Sequence, residues 1–252
     1  MISAAGAPGQ GSPLGSGGDE ASTSAAVRSM FTAVAPRYDF LNHFLSLGRD
    51  IAWRRATARA LKETLARPGS CVADLCCGTG DLSFCLGRHS RGLVMGADFC
   101  HPMLAIARGK ARAHARRVQF LEADALQLPF GDASLDAVTS AFGFRNLANY
   151  SRGIEEMWRV LKGGGRLAIL EFSQVRWPIF GPLFRCYFRR VLPRVGAWIS
   201  GVEGPYRYLP ESVAQFPEQE ALAEMLRGAG FHKVSYVNFT GGIAALHVGE
   251  KM

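Results

Sequence analysis

The chain has 252 residues, 48% of them hydrophobic, and 29 Lys and Arg against 21 Asp and Glu give a formal net charge of +8. That is enough apolar material for one large core without disulfides or metal, and Arg, Gly or Pro interrupts every apolar run well short of the roughly 18 to 20 residues a membrane span needs. Six cysteines are too sparse for a disulfide framework and lack the paired spacing of a zinc site, so Cys71, Cys76, Cys77, Cys85 and Cys100 read as reduced core residues and no metal is expected.

Residues 1–25 are mostly Gly, Ser, Ala and Pro with one acidic pair, Asp19 and Glu20, the composition of a disordered tail. With no apolar or Arg-rich leader pattern, a cytoplasmic address is expected. Residues 26–252 read as one domain. Apolar residues at helical spacing over 31–60, ending before Arg67-Pro68-Gly69, predict an N-terminal helical cap over 26–66. Five short apolar runs follow, at 71–75, 93–97, 118–122, 135–140 and 166–172, separated by helical patterns. Such alternation predicts an α/β fold, a parallel sheet covered on both faces. Two further β-like runs, at 233–239 and 243–248, flank Thr240-Gly241-Gly242 and predict a closing antiparallel hairpin. The expected architecture is a Rossmann-like, mainly parallel seven-stranded sheet of the class I methyltransferase kind.

The sharpest local signal is Asp74-Leu75-Cys76-Cys77-Gly78-Thr79-Gly80-Asp81, directly after the first strand and opening a helix. Gly78 and Gly80 allow a tight turn and close approach to a ligand. Asp98 lies 20 positions after Gly78 at the next strand end, where a carboxylate accepts both hydroxyls of a ribose. Nicotinamide enzymes share both features. Position 83, however, is Ser and not a third glycine, and a pyrophosphate against the helix N-terminus normally wants that glycine. S-adenosylmethionine has no pyrophosphate. Asp124, followed by Ala125 after the third strand, is placed to read an adenine amino group. Taken singly, each carboxylate reads as a cap or turn residue; Asp74, Asp98 and Asp124 in successive loops on one sheet edge suit a cationic sulfonium.

From about Met30 to Val248 the chain resembles the UbiE/MenG family of ubiquinone and menaquinone methyltransferases. The resemblance rests on Tyr38-Asp39-Phe40-Leu41-Asn42 with Leu45-Ser46 and Trp53-Arg54, on Arg159-Val160-Leu161-Lys162 running to Leu170-Glu171-Phe172-Ser173, on Phe142-Gly143-Phe144-Arg145-Asn146 and on Thr240-Gly241-Gly242-Ile243. The chain departs from the family at Asp50, often His, and Gly163, often Pro. The resemblance implies cofactor contacts at Thr79, Asp98, Asp124 and Ala125, and C-methylation of a prenylated quinol with S-adenosylmethionine, demethylmenaquinol first. A benzoquinol substrate, or an RNA-binding methyltransferase or module, stands as the alternative.

Methyl transfer from a sulfonium needs alignment and no protein nucleophile. A quinol carbon becomes nucleophilic when a neighbouring hydroxyl ionises, so a cation should help. Arg145 is the candidate to stabilise the phenolate, Asn146 to orient the ring, and Tyr38 and Asp39 to close over the substrate, with Asp39 or water as proton acceptor. The alternative for Arg145 is an ordinary salt-bridged arginine. Residues 174–212 read as a substrate-covering insertion. Within it, 174–200 carries five arginines, no acid and an apolar stripe at helical spacing, fitting an interfacial helix on an anionic inner membrane face that doubles as a hydrophobic lid, with an ordinary core-facing helix as the alternative. The absence of any RNP-like motif argues against nucleic acid. Oligomeric state, a homodimer included, is left open.

Overall fold

The computed structural model describes residues 11–15, 19–35, 46, 48–114, 117–173, 175 and 204–252. The seven apolar runs become strands of one sheet: β1 (Cys71–Leu75), β2 (Leu93–Asp98), β3 (Val118–Glu122), β4 (Leu135–Ala141), β5 (Leu161–Phe172), β6 (Phe231–Phe239) and β7 (Ala244–Lys251). Their order is β3-β2-β1-β4-β5-β7-β6. β1 to β5 pair in parallel and β7 is antiparallel to both β5 and β6, so the expected hairpin closes the sheet through a 3-10 turn at Thr240–Gly242.

Successive strand residues feed two separate cores, as the two-residue period of a strand requires. Ala73, Leu75, Val138, Leu167 and Ile169 pack on one face against Ile154 and Met157 of α6 (Tyr150–Val160) and Leu222 and Leu226 of α8 (Gln219–Gly228). Val72, Val94, Ala168 and Leu170 face the other way, onto Trp53 of α2 (Arg49–Ala60), Leu65 of α3 (Lys62–Ala66) and Leu82 and Leu86 of α4 (Asp81–Gly87). Burial on both faces is why these strands are apolar runs and not alternating patterns. α5 (His101–His114) connects β2 to β3, and α7 (Gly204–Gln215) precedes α8. Asp50, in the first turn of α2, accepts a hydrogen bond from Ser46 at 2.6 Å and pairs with Arg54 one turn on.

The structure corrects the expectation of an unstructured tail through residue 25. α1 spans Glu20–Val34, and a 3-10 turn forms at Pro13–Gly15. The acidic pair explains it. Asp19 is the N-cap, its Oδ1 accepting from the Ser22 backbone N–H at 2.7 Å, and Glu20 accepts from Asn149 and Arg152 at 2.8 and 2.9 Å. Ser12 N–H donates to the Leu147 carbonyl at 2.7 Å, so a compositionally plain segment is held by partners far along the chain. Tyr38 and Asp39, and the arginine-rich helix expected over 174–200, lie outside the described residues. Among the described residues no helix is long and apolar enough to cross a membrane.

Between β4 and α6, a 3-10 turn at Phe144–Asn146 is nailed to the core by Phe144, which has no exposed surface and packs on the rings of Tyr150 and Phe216 at 5.6 and 6.1 Å. Phe144→Ala should lower unfolding stability by about 3–5 kcal/mol; a urea midpoint within error of wild type would show that the turn is not anchored this way.

Candidate functional site

A cleft of about 610 Å³ opens beyond the C-terminal ends of β1, β2 and β4, where the strand order reverses and open α/β sheets place their ligands. Phe31, Met103, Leu126, Phe142 and Leu147 give it apolar walls, and Asp98, Asp124 and Asn146 are its principal polar side chains. Among the described residues no Lys, Arg or His lines it.

The floor is the turn after β1. Gly78 (φ 54°) and Gly80 (φ 88°) hold left-handed conformations, and a Cβ on Gly80 would lie 2.7 Å from the Phe120 ring. Asp98, the last residue of β2, ties this turn down: Oδ2 accepts from Gly78 N–H and Oδ1 from Cys100 N–H, each at 2.8 Å. Burial pushes the Asp98 carboxyl upward in pKa, opposed by the backbone N–H groups of Cys100, Gly78 and Phe99 and the charge of Arg28. Asp124 Oδ1 accepts from Leu126 N–H at 2.9 Å.

The opposite wall follows β4. Phe142 holds a left-handed φ of 60° and Cys76, across from it, one of 51°, conformations uncommon for non-glycine residues. The two turns touch there, since a Cβ on Gly143 would lie 2.3 Å from Cys76 Cβ. Glu171, fully buried at the end of β5, accepts from Arg145 N–H at 3.2 Å, Phe172 N–H at 2.8 Å and Arg145 Nη1 at 2.6 Å. Arg145 Nη1 also donates to the Phe142 carbonyl.

Of the residues singled out in the sequence, Gly78, Asp98, Asp124, Ala125 and Asn146 line the cleft. Asp74, Thr79, Gly80 and Arg145 do not. Arg145, expected to face the substrate, instead has only 6% of its side chain exposed and lies in an ion pair with Glu171, where it offsets the cost of burying that carboxylate. Asp74 is buried beneath the turn, accepting from Ser83 Oγ at 2.5 Å and Thr139 Oγ1 at 3.1 Å. Ser83 thus has a structural task where a dinucleotide site carries its third glycine. Ser24 and Phe31 of α1, Cys76 and Phe142 line the cleft without having been singled out individually; for the α1 pair no sequence signal exists, whereas Phe142 and Glu171 sit inside quoted motifs.

Burial pushes the Asp74 carboxyl up to about 7, partly countered by the hydroxyls of Ser83 and Thr139. A folded pKa above the unfolded value of 3.8 stabilises the fold at low pH, and this contribution is lost as pH rises from about 4 through about 7. Asp74→Asn should therefore gain stability relative to wild type between pH 5 and pH 7.5, read from denaturation midpoints; a constant difference would place the proton elsewhere.

Residues 19–251 match the family described as the ubiE/COQ5 methyltransferase family. Among similar proteins, "Demethylmenaquinone methyltransferase" of Deinococcus radiodurans is 51% identical over 93% of this chain and 96% of its own length. The protein of the same name from Thermus thermophilus is 53% identical over 88% of this chain and all of its own, and "Ubiquinone/menaquinone biosynthesis C-methyltransferase UbiE" of Rhizobium etli is 42% identical over 90% and 89%. Solved structures with a similar fold include a SAM dependent methyltransferase from Aquifex aeolicus (TM-score 0.57, 20% identity, covering 78% of this chain and 89% of that one) and the [4+2]-cyclase SpnF (TM-score 0.58, 20% identity, covering 79% and 80%).

Proposed function

Because the chain belongs to the ubiE/COQ5 methyltransferase family, we propose that it transfers a methyl group from S-adenosylmethionine to a ring carbon of a prenylated quinol, with demethylmenaquinol as the substrate. The observation that carries this reading is the charge of the cleft: two carboxylates, Asp98 and Asp124, with no cationic side chain among the described lining residues. A phosphate-bearing nucleotide would meet net repulsion there; a sulfonium meets attraction.

The strand order divides the labour. Asp98 and Asp124 follow β2 and β3 on one side of β1, and the Phe142–Asn146 turn follows β4 on the other. Asp98 would accept the ribose hydroxyls, Asp124 and the Ala125 backbone would read the adenine, and Gly78 would admit the ligand close to the main chain. When bound, S-adenosylmethionine supplies an electrophilic methyl on a good leaving group. On the β4 side Phe142 would pack on the quinol ring and Asn146 would hydrogen-bond its oxygen, while the apolar walls at Met103, Leu126 and Leu147 exclude water. Arg145 contributes by fixing the turn that carries Asn146. Tyr38 and Asp39 complete the proposal as cap residues meeting the quinol, Asp39 or a water taking its proton.

Two relatives, at 51% and 53% identity, are named for demethylmenaquinone alone, and those at 42% for both quinones, which favours the naphthoquinol, although one named for demethylmenaquinone alone is 39% identical. Calorimetry should detect S-adenosylmethionine binding, weakened about ten- to hundredfold by Asp98→Asn, the scale of one or two hydrogen bonds to a charged acceptor. Incubation with reduced short-chain demethylmenaquinol should then yield a product heavier by one methyl. Binding without product would refute the substrate; no binding would refute the methyl donor.

A further inference from the structure

Three polar side chains from distant parts of the chain meet behind the substrate wall. Tyr208 of α7 donates its hydroxyl proton to Asn146 Oδ1 at 2.8 Å, and Ser12 Oγ lies 2.8 Å from the same Tyr208 oxygen. Both Ser12 and Tyr208 are buried, and Asn146 lines the cleft. The directions follow from the Asn146 amide, whose Nδ2 faces the Phe142 carbonyl and whose Oδ1 faces Tyr208. Tyr208 has one proton and gives it to Asn146, so Ser12 must be the donor in its pair with Tyr208. Asn146 then has its carbonyl oxygen engaged by Tyr208, a residue that does not line the cleft. Its amide nitrogen, with two N–H groups and a long 3.5 Å contact to the Phe142 carbonyl, is left as the group offered to a ligand. Ser12 is itself held in place, its backbone N–H donating to the Leu147 carbonyl at 2.7 Å, and a Cβ on neighbouring Gly11 would overlap the Ala148 carbonyl at 1.9 Å.

We propose that Tyr208 is a positioning residue, holding the Asn146 amide so that an N–H donor and not a carbonyl faces the oxygen of the substrate quinol. This role rests on the quinol reading above. An amide is close to symmetric in shape, so only its hydrogen-bond partners decide which end points where. A donor favours the quinol oxygen once it has lost its proton, the ionised form in which the ring carbon is nucleophilic, whereas a carbonyl in its place would repel that anion. Tyr208 thus selects between a helpful and a harmful orientation of one side chain, and Ser12 carries that selection back to the N-terminal segment.

The test uses the full chain, S-adenosylmethionine and a reduced short-chain demethylmenaquinol. Tyr208→Phe should lower kcat about tenfold, the scale of one hydrogen bond made in the transition state, while calorimetric affinity for the cofactor stays within about twofold, a split that general loosening of the fold would not produce. Adding Tyr208→Phe to Asn146→Ala should cost nothing further, because the two act as a unit. Ser12→Ala, which removes only the donor to Tyr208, should give the same split in weaker form, and carries the test if Tyr208→Phe does not fold. Wild-type kcat in Tyr208→Phe, or losses that multiply in the double variant, would overturn the positioning role alone. Wild-type protein that binds the cofactor but methylates no quinol would overturn the quinol reading and this role with it.

Discussion

A buried carboxylate at the end of β2 is the constraint from which the site is built. Asp98 brings two separate pieces of backbone to one point, the glycine turn after β1 through Gly78 and the approach to α5 through Cys100. Burying a carboxylate is costly unless directed donors replace its water, and burial does raise its pKa. The backbone dipoles that oppose this rise are also the ones that shape the floor of the cleft, and the start of α5 adds the favourable end of a helix. The same arrangement leaves the acid at the surface of the cleft.

Glu171 does on the β4 side what Asp98 does on the β2 side. It too is buried at a strand end and gathers backbone N–H groups, here those of Arg145 and Phe172, but it also takes a guanidinium. Replacing a buried ion pair with apolar residues is often neutral for stability, so such a pair is weak evidence of a stability role. Its value here is geometric. Arg145 reaches from the pair to the Phe142 carbonyl, and its ring-facing position over Phe172 at 5.3 Å closes the wall from behind. Together with Phe144 in the core, the pair fixes the turn that carries Asn146.

The strands were legible because burial on both faces writes itself as apolar runs, and the acids at their ends were legible because loops over a parallel sheet carry its chemistry. Depth was not. Asp74 and Asp98 look equivalent along the chain, yet Asp74 pairs with Gly96 in the register, two residues short of Asp98, or about 7 Å deeper at the rise of a strand. That offset turns one carboxylate into a prop for Ser83 and the other into a cleft residue. Arg145 was misjudged for a related reason: its partner stands 26 positions away on the neighbouring strand, and no local pattern names it. The N-terminal helix was missed at its first turn because a capping Asp19 and a bridging Glu20 are compositionally identical to a solvated acidic pair.

The residues that shape the β4 side of the cleft share a property that bears on how such a site acquires selectivity. The side of the cleft built on β1, β2 and β3 is fixed by backbone geometry, which a continuous stretch of chain records. The other side is assembled from Ser24 and Phe31 on α1, Asn146 after β4, and Tyr208 with Ser12 behind it, parts that meet only in three dimensions. A solved cyclase shares the fold at 20% identity, so the frame alone does not choose the reaction. Choice must lie in what is added to the frame. An assembly drawn from four remote segments can change its shape and polarity by single substitutions without disturbing the carboxylate-tied floor, which is why the floor of the cleft is readable in one motif and the opposite wall only in part.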